Sequence, residues 1–240
     1  MNYNEMIESP NEVIKSYVYK CPVNDSRFLG NHDNRTPMGF ESIIPEIILY
    51  GGKKIPDFFS AGGMLSPRKI VSSRLKALLE RSCDKTCIEF FPITLIQSEE
   101  KIEGYWITNF VSFSDESLDF EKTVFRVDTR TPIKNKYGVY VDSRLSSEFR
   151  KFKGYQEFLK VKEAGWGNGI TVLPERPKLK VSEKAPMILF GKISILDIIV
   201  SEDLKKEIEE NGFVGIEFKP LEIPFEEWYG PNGIRKQFYK

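Results

Sequence analysis

The chain has one histidine, three cysteines, no net charge and no long apolar run, and each shortage removes a class of function. A single histidine, His32, among 240 residues is all that a Ser-His-Asp or Cys-His arrangement could use. It also removes any metal centre that needs several histidines. Cys21, Cys83 and Cys87 make an odd count, too few for a disulfide framework. Cys83 and Cys87 have the spacing of half a metal site, but no second Cys or His pair exists to complete it. The opening Met-Asn-Tyr-Asn-Glu-Met lacks the basic and apolar regions of a secretory signal, and no stretch approaches roughly eighteen apolar residues. The expectation is a cytoplasmic protein with reduced thiols that does not enter a membrane. Lys and Arg number 35 and so do Asp and Glu, so the chain as a whole lacks the basic footprint of a nucleic-acid-binding protein.

Catalytic motifs are equally sparse. Gly30-Asn31-His32-Asp33 has the letters of a two-metal phosphoesterase signature, but the other histidine ligands cannot exist here; a polar turn explains the string. There is no phosphate-cradling Gly-x-x-x-x-Gly-Lys-Ser/Thr loop and no Gly-x-Ser-x-Gly elbow. Gly165-Trp-Gly-Asn-Gly169 lacks the strand-then-helix setting of a nucleotide loop. It reads as a surface loop anchored by Trp166, with partner binding as the alternative. Asp115, Glu116, Asp119, Glu121 and Glu226-Glu227 read as solvated turn residues; the alternative is a glycosidase-like carboxylate pair, which depends on separation in space. No cofactor, metal or catalytic residue is expected.

What the chain does have is an internal repeat. Lys69-Ile-Val-Ser-Ser-Arg-Leu-Lys76 returns as Ile198-Ile-Val-Ser-Glu-Asp-Leu-Lys205, and Ile88-Glu-Phe-Phe-Pro92 returns as Ile216-Glu-Phe-Lys-Pro220. Composition alone would align only a residue or two over such a length. Each copy reads as strand, Ser-capped helix, strand. Ser72 and Ser201 supply the cap. Leu75, Leu78 and Leu79 share one face of the first helix, and Leu204 and Ile208 share one face of the second. Glu202 and Asp203 suit the positive end of that second helix, and Asn211-Gly212 suits its close.

The predicted fold class is α+β: a largely antiparallel sheet with a few peripheral helices. Strands are expected at 13–20, after Pro45, at 87–96, 105–113, 123–128, 137–141, 187–200 and 213–223. A basic helix is expected over 146–164, with Phe149, Phe152, Phe158 and Val161 inward, and a Pro/Gly-rich linker over 165–186. The aromatics near the end, Trp228, Tyr229 and Phe238, should pack down. The division is a lobe over 1–120, a basic connecting region over 121–186 and an acidic lobe over 187–240, or one domain throughout. Residues 121–192 carry 16 Lys/Arg against 8 Asp/Glu, and 193–229 carry 3 against 10. Those two blocks either attract each other or leave the acidic one facing a cationic partner.

In order, the phrases Pro56-Asp57-Phe58, Ile70-Val71-Ser72, Ile88-Glu89-Phe90-Phe91-Pro92, Tyr105-Trp106-Ile107-Thr108-Asn109, Leu118-Asp119, Ile199-Val200-Ser201 and Gly215-Ile216-Glu217-Phe218-Lys219-Pro220-Leu221 resemble a family of bacterial immunity proteins from polymorphic toxin systems. The resemblance covers roughly 55–223. It implies a non-enzymatic protein that binds and blocks a cognate protein toxin, and it supplies no contact residues. Carboxylates can mimic the anionic substrates that many toxins bind in cationic clefts. The surface expected to meet a toxin is therefore the acidic block of Glu202, Asp203, Glu207, Glu209 and Glu210, with Trp166 as a further contact. A carboxylate hydrolase and an interaction module unrelated to toxins are the alternatives.

Overall fold

The computed structural model of the chain describes all residues except 1, 10–12, 34, 83–86, 166, 181, 194–197 and 240, and its fold is α+β. The chain opens with β1 (Tyr3–Glu8), β2 (Ile14–Val18), β3 (Glu46–Leu49) and β4 (Phe58–Ser60). The first copy of the repeat follows as β5 (Lys69–Ser72), α1 (Ser73–Ser82) and β6 (Ile88–Gln97), and β7 (Glu100–Phe110) returns beside it. The middle of the chain forms β8 (Val124–Lys134), β9 (Tyr140–Arg150), α2 (Tyr155–Gly165) and β10 (Ile170–Arg176). The second copy comprises β11 (Met187–Leu189), β12 (Ile198–Ser201), α3 (Glu202–Glu210) and β13 (Ile216–Pro220), followed by α4 (Phe225–Tyr229) and α5 (Arg235–Phe238). Three sheets result, ordered β2-β3-β6-β7-β5-β4, β11-β12-β1-β13 and β10-β8-β9. Among these ladders only β3 with β6 is parallel. No helix of the described residues is long and apolar enough to cross a membrane.

The repeat is one backbone pattern used twice. β5 and β6 both pair antiparallel with β7, so they run parallel to each other with α1 as the crossover. β12 and β13 flank β1 in the same way. The registers coincide: Trp106 lies between Val71 and Pro92, and Asn4 lies between Val200 and Pro220. β4 borders β5 as β11 borders β12. Even the flanking bond recurs, Ser72 N donating to Asp57 O and Ser201 N to Pro186 O, both at 2.9 Å. Only the middle strand arrives differently. β7 follows β6 through a tight turn in which Ser98 and Glu99 both have positive φ, as a two-residue hairpin turn of matching twist requires. β1 comes instead from the far end of the chain.

Strand alternation distributes the apolar residues among three cores. Val71 and Val200 point into a shared central core with Leu75, Leu78 and Leu79 of α1 and Leu204 and Ile208 of α3. Ile70 points the other way, into a core with Phe28, Ile47 and Leu95. Its counterpart Ile199 joins Phe120, Phe125, Phe152 and Phe158 beneath β8 and α2. The two copies therefore meet through their helix-bearing faces.

A polar clamp fixes that meeting. The Asp57 carboxylate accepts from Arg74 Nε and Nη2, each at 2.7 Å, from Ser72 Oγ at 2.6 Å and from the Val214 amide at 2.8 Å. The same guanidinium donates to the carbonyls of Asn211 and Gly212 at the end of α3 and lies 4.3 Å from the Phe213 ring centre. Burial by itself would raise the Asp57 pKa, but the bonds from Arg74, Ser72 and Val214 outweigh it and hold the carboxyl below its ordinary value. Gly215 is required here: at φ +91° a Cβ would lie 2.4 Å from Pro56 and 2.5 Å from the Phe58 carbonyl.

Several expectations need correction. Residues 140–150 are strand, and the helix begins only at Tyr155. Phe149 and Phe152 imitate a helical spacing, but Phe149 lies opposite Arg126 in the β8–β9 ladder and is 64% exposed. Gly154 lies before the helix, its carbonyl accepting from Phe158 N. The expected linker 165–186 contains β10, whose Pro174 stands at an irregularity in the ladder with β8, where proline is tolerated. The expected strand 187–200 is two strands that pair antiparallel, β11 and β12. Asp115 is buried rather than solvated, accepting from the Gly191 and Lys192 amides and from Tyr155 Oη. Of the terminal aromatics Trp228 is fully buried, while Phe238 remains 63% exposed.

Two outcomes follow for stability. Arg74→Ala, which strands a buried carboxylate but removes a half-exposed partner, should cost about 2–3 kcal/mol in urea denaturation. Because the folded Asp57 pKa is depressed, its contribution is present above the ordinary value of 3.8 and is lost as pH falls through the folded value. The wild type should therefore lose more stability than Arg74→Ala on acidification through that range. Ser72→Ala should cost more than Ser201→Ala, each losing a cap worth about 1 kcal/mol, because only Ser72 also donates to Asp57. Equal losses would show that the clamp does not use the cap hydroxyl.

Candidate functional site

α3 is capped at its start and packed along its inner face, and its outer side carries most of the carboxylates singled out from the sequence. Ser201 Oγ accepts from Leu204 N at 3.3 Å, which caps the helix. Leu204 and Ile208 bury the inner face. Gly212, at φ +62°, lets the chain leave the helix.

The five carboxylates divide into two roles. Glu202 accepts from Asn4 Nδ2 at 2.8 Å and Lys205 Nζ at 3.1 Å. The Asn4 bond first, and Lys205 after it, hold its pKa below the ordinary value against the effect of burial. Glu207 pairs with Arg81 of α1. These two side chains fasten α3 to β1 and to α1. Asp203, Glu209 and Glu210 are exposed. Glu210 has one loose pair, 3.7 Å from Lys206. Asp203 and Glu209 make no ion pair among the described residues. Trp166 lies outside the described residues, as does Cys83.

Matched positions in the two copies sharpen the contrast. Arg74, two residues after the Ser72 cap, is consumed by the clamp; Asp203, two residues after Ser201, faces solvent. Beside the first turn of α3 lies a groove of about 570 Å³ whose walls include Lys178, Lys180 and Lys205 as well as Glu183, Glu202 and Glu222. Its mixed charge gives no single-sign ligand a preference.

Other sequence candidates resolve into structural parts. His32 ends a turn over Leu29–Asn31, its ring nitrogen 2.6 Å from the Ser26 carbonyl and its ring 4.7 Å from that of Phe40. Gly30 is there because a Cβ would meet the Phe28 ring at 2.5 Å. Tyr155, desolvated and beside Asp115, has its pKa pushed up to about 12, so it stays protonated and donates to that carboxylate. Asp119 pairs with Lys122. No group of three His, Cys, Asp or Glu side chains among the described residues could hold a metal ion.

One prominent surface extends well beyond the short strands expected at 123–128 and 137–141. β8 and β9 run on past the end of β10, from Thr129 to the Lys134–Tyr140 pair, as a two-stranded arm exposed on both faces. The arm shows Ile133, Tyr137, Val139, Tyr140, Val141 and Leu145 to solvent, and Phe149 is exposed further along β9. The signal available was the Lys134-Asn-Lys-Tyr-Gly138 turn, with Gly138 at φ +77°, flanked by β-branched residues. No protein-family model matches the chain, and no curated protein matches it.

Glu209→Ala should change stability by no more than about 0.5 kcal/mol, and Asp203→Ala, which removes an acidic side chain from the first turn of α3, should cost about 0.3–1 kcal/mol. Glu202→Ala, which loses the Asn4 bond at a helix N-terminus, should cost about 1 kcal/mol. Thermal denaturation of the three variants checks this, and a large loss in Glu209→Ala would mean that it too belongs to the scaffold.

Proposed function

We propose that the chain is a non-catalytic immunity protein that binds a cognate protein toxin and blocks it. The observation that carries this reading is where the resembling phrases fall. Pro56-Asp57-Phe58, both Ile-Val-Ser strings, Ile88–Pro92, Tyr105–Asn109 and Gly215–Leu221 occupy the duplicated unit and its clamp. They lie together in one connected scaffold, which supports reading them as one pattern. The scaffold leaves the outer side of α3 to solvent, and on that side Asp203 and Glu209 are exposed and make no ion pair among the described residues.

In this reading α3 presents those carboxylates, with Glu210, to a cationic cleft on the toxin. A capped helix packed along its inner face loses little conformational freedom on binding, and complementary charge speeds encounter with the right partner. Glu202 and Glu207 shape the surface from behind by holding the helix in place.

The decisive experiment is rescue by co-expression with the toxin encoded beside this gene. The wild-type chain should restore growth. A triple variant with Asp203, Glu209 and Glu210 changed to Lys should remain folded, at a small cost from the cation in the first turn of α3, but associate with the toxin at least ~10-fold more slowly. No rescue by wild type would remove the toxin reading. Rescue with unchanged association by the triple variant would move the binding surface elsewhere.

A further inference from the structure

β9 lies at the end of its sheet, so among the described residues one edge of its eleven residues has no strand beside it. An edge of that length, with apolar side chains exposed along it, is a template for another strand unless something blunts it. Leu145 is 57% exposed and Phe149 64%, and neither belongs to any of the three cores.

The geometry points to a second copy of this chain as the occupant, with the two β9 edges pairing antiparallel and Ser146 opposite Ser146. A continuous sheet requires paired residues to point to the same face, so the symmetric registers are those centred on a residue. Three of them pair at least nine of the eleven residues of β9. Centring on Arg144 sets that cation against itself. Centring on Leu145 sets Asp142 against Glu148 twice. Centring on Ser146 sets Arg144 against Glu148 twice, and neither side chain has an ion pair within its own chain among the described residues. Cross-strand pairs of opposite charge stabilise and like pairs destabilise. This register also uses residues 142–150, the stretch with an unbroken ladder to β8; the irregularity in β9 lies before Asp142.

A second complementarity comes with that register. It carries the arm tip, residues 135–139, alongside residues 153–157 of the other copy. There a groove of about 550 Å³ has Glu116, Asp119, Glu121 and Glu157 in its walls, outnumbering Lys153 and Lys180, around Leu118, Phe120 and Tyr155. The tip holds Lys136 and Tyr137, the latter 76% exposed, with Lys134 at its base, and no acidic residue stands between positions 134 and 141. A cationic, aromatic tip thus meets an acidic, partly apolar groove, and the exchange is reciprocal.

Sedimentation equilibrium of the full chain tests this. A dimer is expected, weakened at least ~10-fold by Arg144→Glu or by Glu148→Arg and restored by the two together. In a background without the native cysteines, Ser146→Cys should cross-link two chains on mild oxidation, because residues opposite each other across strands fall within disulfide reach. Arg144→Cys should not. A monomer would overturn the proposal, as would a dimer indifferent to both single reversals. So would arm variants that stay monomeric like the wild type yet lose toxin neutralisation, since the arm would then serve the toxin. Circular dichroism confirms that each variant is folded. The α3 substitutions should leave the dimer intact, so this interface and the toxin reading fail separately.

Discussion

The contact between Asp57 and Arg74 ties the two halves of this molecule into one. A carboxylate on the segment before β4 reaches a guanidinium on α1, and that guanidinium reaches the last carbonyls of α3. The amide of Val214 closes the circuit on the same carboxylate. A buried charge is expensive unless paired and fully hydrogen-bonded, and here each Asp57 oxygen accepts two bonds. That requirement sets the angle and depth at which the copies meet. It also explains why Gly215 cannot carry a side chain: the segment bearing Asp57 has to run directly against it.

From that joint the rest of the architecture follows. Two copies of a split strand-helix-strand unit place their helices in one shared apolar core, so neither copy could leave without exposing α1 or α3. Each copy then covers a private core on its other face. The first is covered by β2, β3 and the polar loops around residues 22–42. The second is covered by the phenylalanine cluster beneath β8 and α2. Because β1 fills the middle of the second sheet, that sheet forms only when the two ends of the chain come together. A long loop must be closed before any of its contacts are gained.

The duplication also frees surface. Once Arg74 has done the work of the joint, the matching position in the second copy is under no such demand and carries Asp203. The same backbone therefore presents a basic, internally bonded helix on one side and an acidic, solvent-facing one on the other. The arm formed by β8 and β9 is a second release from structural duty, since its outer part contributes to no core. One surface is read as the toxin contact and the other as the contact between two copies.

Local chemistry was legible in the residues. The serine caps, the inward faces of α1 and α3, the break at Pro45, the left-handed close at Gly212 and the α+β class all depend on neighbours within a few positions. Those preferences are set before the chain collapses. Tertiary structure decided what sequence spacing could not. Phe149 and Phe152 fit a helix as well as a strand, and only the ladder to Arg126 settles which. β1 had no pattern to betray it, because Asn4 and Glu5 are buried by partners from the opposite end, Glu202 and Lys219. Asp115 reads as an ordinary surface carboxylate, and nothing local marks the role of Asp57, until distant amides and a guanidinium arrive around them. The repeated string announced the unit, but only packing showed that its two copies face each other across a single charged joint. The cause is general: a polar residue takes its role from the group that satisfies it, and that group is fixed by the fold rather than by the next residues in line.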